Sequence, residues 1–282
     1  MTSRRLGRDA RASLSVAYNM TRSTKPSPGD AEANGRPTSA GHLREYLQRW
    51  WRRTPWVGFV HVSNAIIFVI AVGLFLNLVD GAREGDYLAH DQRIMAGLRE
   101  AGRPLGPEWV AEGMRDLTAL GSAVVLTGLT LLIVGYLLLA RRHRIALLLA
   151  AAIAGGQGLN VGLKQLVARE RPEATLHLVA VRSPSFPSGH AMAASIFYLT
   201  VGALLARTTS RRSVKHYLMA CAILLTVAVG VSRVYLGVHY PTDVLAAWCA
   251  GTAWALACWF VADGLALRGS LRHSSSKGSV GT

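Results

Sequence analysis

The strongest constraint on this chain is a recurring length. Six mostly apolar runs, at roughly 57–79, 118–140, 145–163, 190–206, 217–236 and 243–265, alternate with polar segments. About 20 apolar residues in a helix cross the ~30 Å hydrocarbon layer of a bilayer, and a helix satisfies its own backbone there. The fourth run is short and gains length by starting at Ser188 or by extending past Arg207. The expected fold is therefore all-α: a polytopic membrane protein with six transmembrane helices. A chain of 282 residues that is 51% hydrophobic and 17% charged rarely makes a soluble domain. Its formal net charge is nonetheless +15, so its basic residues belong in loops and tails.

Four segments follow from this reading. Residues 1–42 are rich in Ser, Gly, Pro, Ala and Arg without apolar periodicity, which predicts a disordered basic cytoplasmic tail. In 43–56, Leu43, Tyr46, Leu47, Trp50 and Trp51 recur at helical spacing among arginines. This suits a short helix at the membrane surface, or the solvated end of the first span. Residues 57–267 form the six-span domain, and 268–282 a flexible cytoplasmic tail. No cleavable leader is expected, because the first long apolar run comes too late. Cys221, Cys249 and Cys258 all lie inside apolar runs, as small packing residues do.

Orientation follows from charge. With six spans, one side of the membrane holds both tails and the loops 141–144 and 207–216, with 21 Lys and Arg; the other side holds 10. The richer side is expected in the cytoplasm, which places both termini there and the loops 80–117, 164–189 and 232–242 outside, in a plasma (inner) membrane protein. In the first outer loop, Leu88, Met95 and Leu98 make an apolar stripe with Ile94 at its edge. "RPLGP" (103–107) interrupts it and "EWVAEGMRDL" (108–117) resumes it. Two short amphipathic helices at the outer interface are expected.

Three polar stretches then fall on that same outer side: "KQLVARERP" (164–172), "SFPSGH" (185–190) and "SRVYLGVHYPTD" (232–243). Ionisable groups at membrane depth are costly, and three sets converging on one side imply one site. Lys164 and Arg171 are seven residues apart, which on a helix places them on one face, about 10 Å apart along the axis. With Arg233 they suit a phosphate or pyrophosphate. Ser188 and Gly189 open the fourth span, where backbone amides, a hydroxyl and the helix dipole make an anion cradle. His239 has Asp243 four residues on. A carboxylate at one ring nitrogen leaves the other free to attack phosphorus. His190, beside the cradle, is placed to protonate the leaving oxygen and later to activate water. No metal or other cofactor is required, because the cations stabilise the transferring charge. Each residue also has a plain structural use: cations anchor span ends, "PSG" opens helices, and Asp243 caps span six.

The three stretches resemble the signature motifs of the type-2 phosphatidic acid phosphatase superfamily. That group includes integral-membrane lipid phosphatases and shares its site with vanadium haloperoxidases and bacterial acid phosphatases. Its pattern is Lys, six residues, Arg-Pro; then Pro-Ser-Gly-His; then Ser-Arg, five residues, His, three residues, Asp. It is matched at Lys164, Arg171 and Pro172; at Pro187, Ser188, Gly189 and His190; and at Ser232, Arg233, His239 and Asp243. "DLTALGS" (116–122) is also similar to the family, and the likeness covers roughly 80–265. The resemblance implies His239 as nucleophile, Asp243 as its partner, His190 as acid/base, and Lys164, Arg171, Ser188, Gly189 and Arg233 as phosphate holders. It implies a metal-independent hydrolase of a lipid phosphate or diphosphate, such as a polyprenyl diphosphate, phosphatidylglycerol phosphate or phosphatidic acid. The expected partners are that lipid and the bilayer, with no nucleic acid. A lipid phosphotransferase and an inactive lipid-binding scaffold are the alternatives, and oligomeric state is left open.

Overall fold

The computed structural model describes residues 39–100, 102–173, 176–179 and 183–278, with side chains described from residue 58 to 265. Most of the tail expected over 1–42 and the end of the one expected over 268–282 lie outside the described residues, as do the side chains of the surface helix expected over 43–56. The chain divides into Met1–Val60 and His61–Thr282. Everything below concerns the second unit.

Eight helices and one small hairpin make up the described residues. They are α1 (Ser39–Glu84, here from His61 on), α2 (Leu88–Gly97), β1 (Arg99–Glu100), β2 (Arg103–Pro104), α3 (Glu108–Ala119), α4 (Ala123–Leu139), α5 (His143–Val167), α6 (Gly189–Ala206), α7 (Arg212–Tyr235) and α8 (Pro241–Gly278). Five are long and apolar enough to span a bilayer: Gly58–Glu84, His143–Val167, Gly189–Ala206, Arg212–Tyr235 and Pro241–Leu265. The span expected as one helix over 118–140 is covered by α4 from Ala123 to Leu139, which passes the length and apolarity requirement only together with α3, and the two meet at 44°. The break has a local cause. Ser122 adopts an extended backbone and its Oγ accepts from Val125 N at 3.3 Å, so it caps a new helix rather than continuing the old one. Large apolar side chains face outward along the spans, among them Val69, Leu132, Leu139 and Leu224. Such a belt is stable in lipid and not in water.

Helix α6 lies at the centre. Its Ala191, Met192 and Ile196 pack on Val244, Ala247 and Ala250 of α8, while Ala193 and Phe197 pack on Leu126 of α4. Small residues on the α6–α8 seam let the two backbones approach closely, the usual solution where lipid removes the hydrophobic drive between helices.

The segment between α1 and α4 differs from the expected pair of surface helices in one informative way. Both helices are present, but a hairpin joins them, with Arg99 paired to Pro104 and Glu100 to Arg103. The buried face of α2 is also not Leu88–Met95–Leu98. Leu88 and Ile94 are exposed, whereas Asp91 and Met95 are buried. A carboxylate points inward because a cation waits there, as described below. The hairpin is tied to the site end of the bundle: Arg99 donates to Tyr235 O (3.0 Å) and to Leu176 O (3.1 Å). Gly237 makes the following turn at φ +76°, where any Cβ would lie 2.1 Å from Leu176 O.

Candidate active site

The cavity lies at the end of the bundle where α5, α6 and α7 give way to loops. It has a volume of about 120 Å³ and is lined by Lys164, Arg171, Ser183, Gly189, His190, Arg233 and His239. Six of the eight residues singled out from the sequence thus share one wall. Ser188 and Asp243 stand immediately behind it, fully buried.

Lys164 and Arg171 meet there by a different route from the one expected. They do not share a helix face, because α5 ends at Val167. Ala168 is left-handed (φ 48°) and its N–H closes back on Lys164 O at 3.0 Å. A non-glycine residue in that region costs about 1–2 kcal/mol. Pro172 further disfavours helix at the residue before it. Arg171 therefore sits in a loop, its fork spread over Ser183 O (2.6 Å), Ser183 Oγ (3.3 Å), Pro184 O (3.4 Å) and Val238 O (2.5 Å). Lys164 Nζ donates to Pro184 O at 2.6 Å. Loop 183–184 is thus the template that holds both cations, and nothing in the sequence marked Ser183 for that purpose.

The helix cradle also needs correction. Ser188 is the N-cap of α6, but its amide is already used, donating to Asp243 O at 3.1 Å. The amides available to an anion begin at Gly189, since the first N–H groups of a helix have no partner within it. A Cβ at position 189 would press on Asn160 Nδ2 at 3.2 Å, so glycine keeps this entrance open. Among the described residues, Ser188 Oγ, Asn160 Oδ1, Arg233 Nε and His239 Nδ1 are buried without hydrogen-bond partners. Unpaired polar groups of this kind cost about 1–3 kcal/mol each; of the four, the Ser188 hydroxyl and Arg233 Nε are donors that an anion satisfies, whereas Asn160 Oδ1 is an acceptor and His239 Nδ1 faces Asp243.

His239 lies in the loop between α7 and α8 and is 1% exposed. Arg171 Nη1 is 3.2 Å from its Nε2. An arginine only donates, so Nε2 carries the lone pair and the ring proton sits on Nδ1. Nδ1 faces Asp243 Oδ2 at 3.5 Å. That separation is longer than a hydrogen bond and counts as an approach, with Nδ1 otherwise unpartnered. Burial pushes the His239 pKa from 6.5 down to about 3; Asp243 pulls upward, and Arg171 and Arg233 add to the depression. The ring is therefore neutral at physiological pH.

Arg233, 3% exposed in the last turn of α7, donates through Nη1 to Thr118 Oγ1 of α3 at 3.0 Å. This gives "DLTALGS" (116–122) a physical role, which the sequence showed only as similarity. In the same turn a Cβ at Gly121 would come within 3.0 Å of His190 O.

Behind His239 stands a residue that sequence reasoning missed. Arg169 donates to Asp243 Oδ1 (2.7 Å), Thr242 Oγ1 (2.8 Å) and Asp91 Oδ2 (2.9 Å). Burial alone would lower its pKa, but the Asp243 and Asp91 carboxylates outweigh burial and raise it. Asp243 Oδ2 accepts in addition from Tyr240 N (2.9 Å) and from Ser185 Oγ. The signal for Arg169 was present as a second arginine in "KQLVARERP"; its acidic partner, 78 residues away, was not. Among the described residues, no group of three or more His, Cys, Asp or Glu side chains is arranged to hold a metal ion.

Fold and cavity together define an integral-membrane protein with a cationic, histidine-lined site at one end of its helix bundle. Residues 145–265 match the model of the PAP2 superfamily. Phosphatidylglycerophosphatase B of Bacillus subtilis is 37% identical over 145 residues, which are 51% of this chain and 70% of that protein. Decaprenylphosphoryl-5-phosphoribose phosphatase of Mycobacterium tuberculosis is 34% identical over 119 residues, 41% of this chain and 60% of that protein. The crystal structure of a transmembrane PAP2 type phosphatidylglycerolphosphate phosphatase from Bacillus subtilis superposes with a TM-score of 0.64 at 29% identity, covering 70% of this chain and 96% of that one. The chain belongs to the PAP2 superfamily.

Proposed function

We propose that this protein is a lipid phosphatase that hydrolyses a membrane lipid phosphate or diphosphate through a phosphohistidine on His239. The observation that carries the reading is the contact of Arg171 Nη1 with His239 Nε2, which puts the lone pair of a neutral ring on the nitrogen that faces a cavity lined by three cations; Arg171 turns from that lone pair to the phosphoryl oxygens before attack. The phosphoryl group binds among Lys164, Arg171, Arg233 and the first amides of α6. Nε2 of His239 attacks phosphorus; the N–P bond forms as the bond to the lipid oxygen breaks, and His190 gives that oxygen its proton. His190 then takes a proton from water, whose oxygen displaces His239. Phosphate leaves and both histidines return to their starting state. Negative charge on the equatorial oxygens is met by fixed cations, so the protein supplies the stabilisation without reorganising.

The substrate class rests on the lipid phosphatases among the relatives and on the position of the site at the end of a bilayer-spanning bundle. The extracytoplasmic location of the site rests on the 21 to 10 division of basic residues between the two ends.

Purified protein in detergent is tested for phosphate release from phosphatidylglycerol phosphate, phosphatidic acid and a polyprenyl diphosphate, with quenching to trap phosphoenzyme. Turnover with an acid-labile, base-stable phosphoenzyme is expected, and His239→Ala and His190→Ala should each abolish turnover in a folded protein. Normal turnover in either variant would remove that histidine from the mechanism.

A further inference from the structure

Two carboxylates and one guanidinium are stacked on the side of His239 away from the cavity. Arg169 bridges Asp243 and Asp91 through separate nitrogens, at 2.7 and 2.9 Å. Both carboxylates are fully buried. Asp91 in turn accepts from Thr242 N (3.1 Å) and Thr242 Oγ1 (2.5 Å), so it grips the residue next to Asp243 in the chain. The guanidinium also lies over the Tyr240 ring, 4.4 Å from its centroid. Asp91 thus reaches from α2, in the loop segment, to the start of α8, and its hydrogen bonds go to Arg169 and Thr242 rather than to His239.

A buried ion trio is a poor device for stability, because desolvation consumes most of the attraction. Its charge balance has a clearer use. Asp243 with Arg169 alone is a neutral pair, which offers little to a ring that becomes positive. Asp91 adds a second negative charge, and the trio carries a net charge of minus one on the Nδ1 side of His239. As the bond from Nε2 to phosphorus forms, the imidazole becomes cationic, while the cations on the cavity side oppose that change. A net negative group behind the ring offsets them at that moment and not before.

We propose that Asp91 is a positioning residue for phosphoryl transfer: through Arg169 it orients Asp243 and keeps a net negative charge behind His239, and so acts on turnover rather than on phosphate binding. This rests on the reading of His239 as the nucleophile. It also links the interfacial loop to the reacting ring, since α2 can shift only by breaking the contacts of Asp91 with Arg169 and Thr242.

The test is Asp91→Asn in the full chain, which keeps the shape and an acceptor for Thr242 N while removing the charge. Partners of ligating or catalytic groups typically carry about 10- to 100-fold in activity, and a loss of that order in kcat is expected. KM should stay unchanged, the vanadate inhibition constant should rise because vanadate engages Nε2 as the transferring phosphoryl group does, and phosphoenzyme formation in a quenched single turnover should slow by the same factor as kcat. Wild-type kcat in Asp91→Asn would overturn the proposal, and so would a rise in KM with kcat intact. If Asp91→Asn does not fold, Arg169→Lys, which keeps the charge but loses the fork, is read instead: reduced kcat at constant KM supports the proposal and unchanged kcat refutes it. Wild-type protein that turns over without phosphoenzyme would sink the nucleophile reading itself. Wild type that forms phosphoenzyme, beside a fully active Asp91→Asn, would sink only this proposal.

Discussion

Thr118 offers the sharpest test of how the phosphate cations are held. Arg233 is almost wholly buried, and Thr118 Oγ1 accepts from its Nη1 at 3.0 Å, while Nε has no hydrogen-bond partner among the described residues. Thr118→Val keeps the shape of the side chain and removes the acceptor. A hydrogen bond to a charged group contributes about 1.5–3 kcal/mol, and a buried donor left unsatisfied costs a similar amount. Part of that cost falls on the free protein and lowers its melting temperature. The remainder appears when the transferring phosphoryl group needs Arg233 in place. Taking half of the upper figure, about 1.5 kcal/mol, gives roughly a tenfold fall in kcat/KM. Thr118→Ser restores the hydroxyl and should lie near wild type. The assay is kcat/KM on a short-chain lipid phosphate, with thermal melting measured alongside. If Thr118→Val keeps wild-type kcat/KM, the hydroxyl does not position Arg233. If Thr118→Ser is as impaired as Thr118→Val, the methyl packing matters and the hydrogen bond does not.

Three further outcomes are expected. The folded His239 pKa, about 3, lies below the ordinary 6.5, so its contribution to stability is complete above pH 6.5 and is lost as pH falls towards 3; melting temperatures of His239→Gln should fall less than wild type between those limits, and parallel curves would contradict the burial argument. With Cys221, Cys249 and Cys258 replaced, a cysteine introduced near residue 100 should react with a membrane-impermeant reagent on intact cells and one near 210 should not, and the reverse pattern would invert the topology. Turnover should survive EDTA and be blocked by vanadate, which takes up the five-coordinate geometry of phosphorus in flight; loss in EDTA that magnesium or zinc restores would refute a mechanism run by fixed cations.

What the sequence alone determined was chemistry arranged along the chain. Apolar length specified spanning helices, because a bilayer leaves the backbone no other partner than itself. Short-range spacing specified the residues of the cavity: Lys164 to Arg171, Ser188 to His190 and Arg233 to Asp243 each lie within a dozen residues, and alternation of spans put all three groups at one end. Tertiary structure alone decided how those residues are held. It ended α5 at Ala168, so that Arg171 reaches the cavity from a loop. It assigned Thr118 to Arg233, and it turned Asp91 inward against the apolar pattern of its own helix. The reason is physical. A buried cation must find an acceptor, and which acceptor it finds is set by which distant segments are packed together. The partners Arg169–Asp91 and Arg233–Thr118 lie 78 and 115 residues apart, far beyond any periodicity. Local pattern records the cost of burying such groups, and only the packed bundle shows which groups meet it.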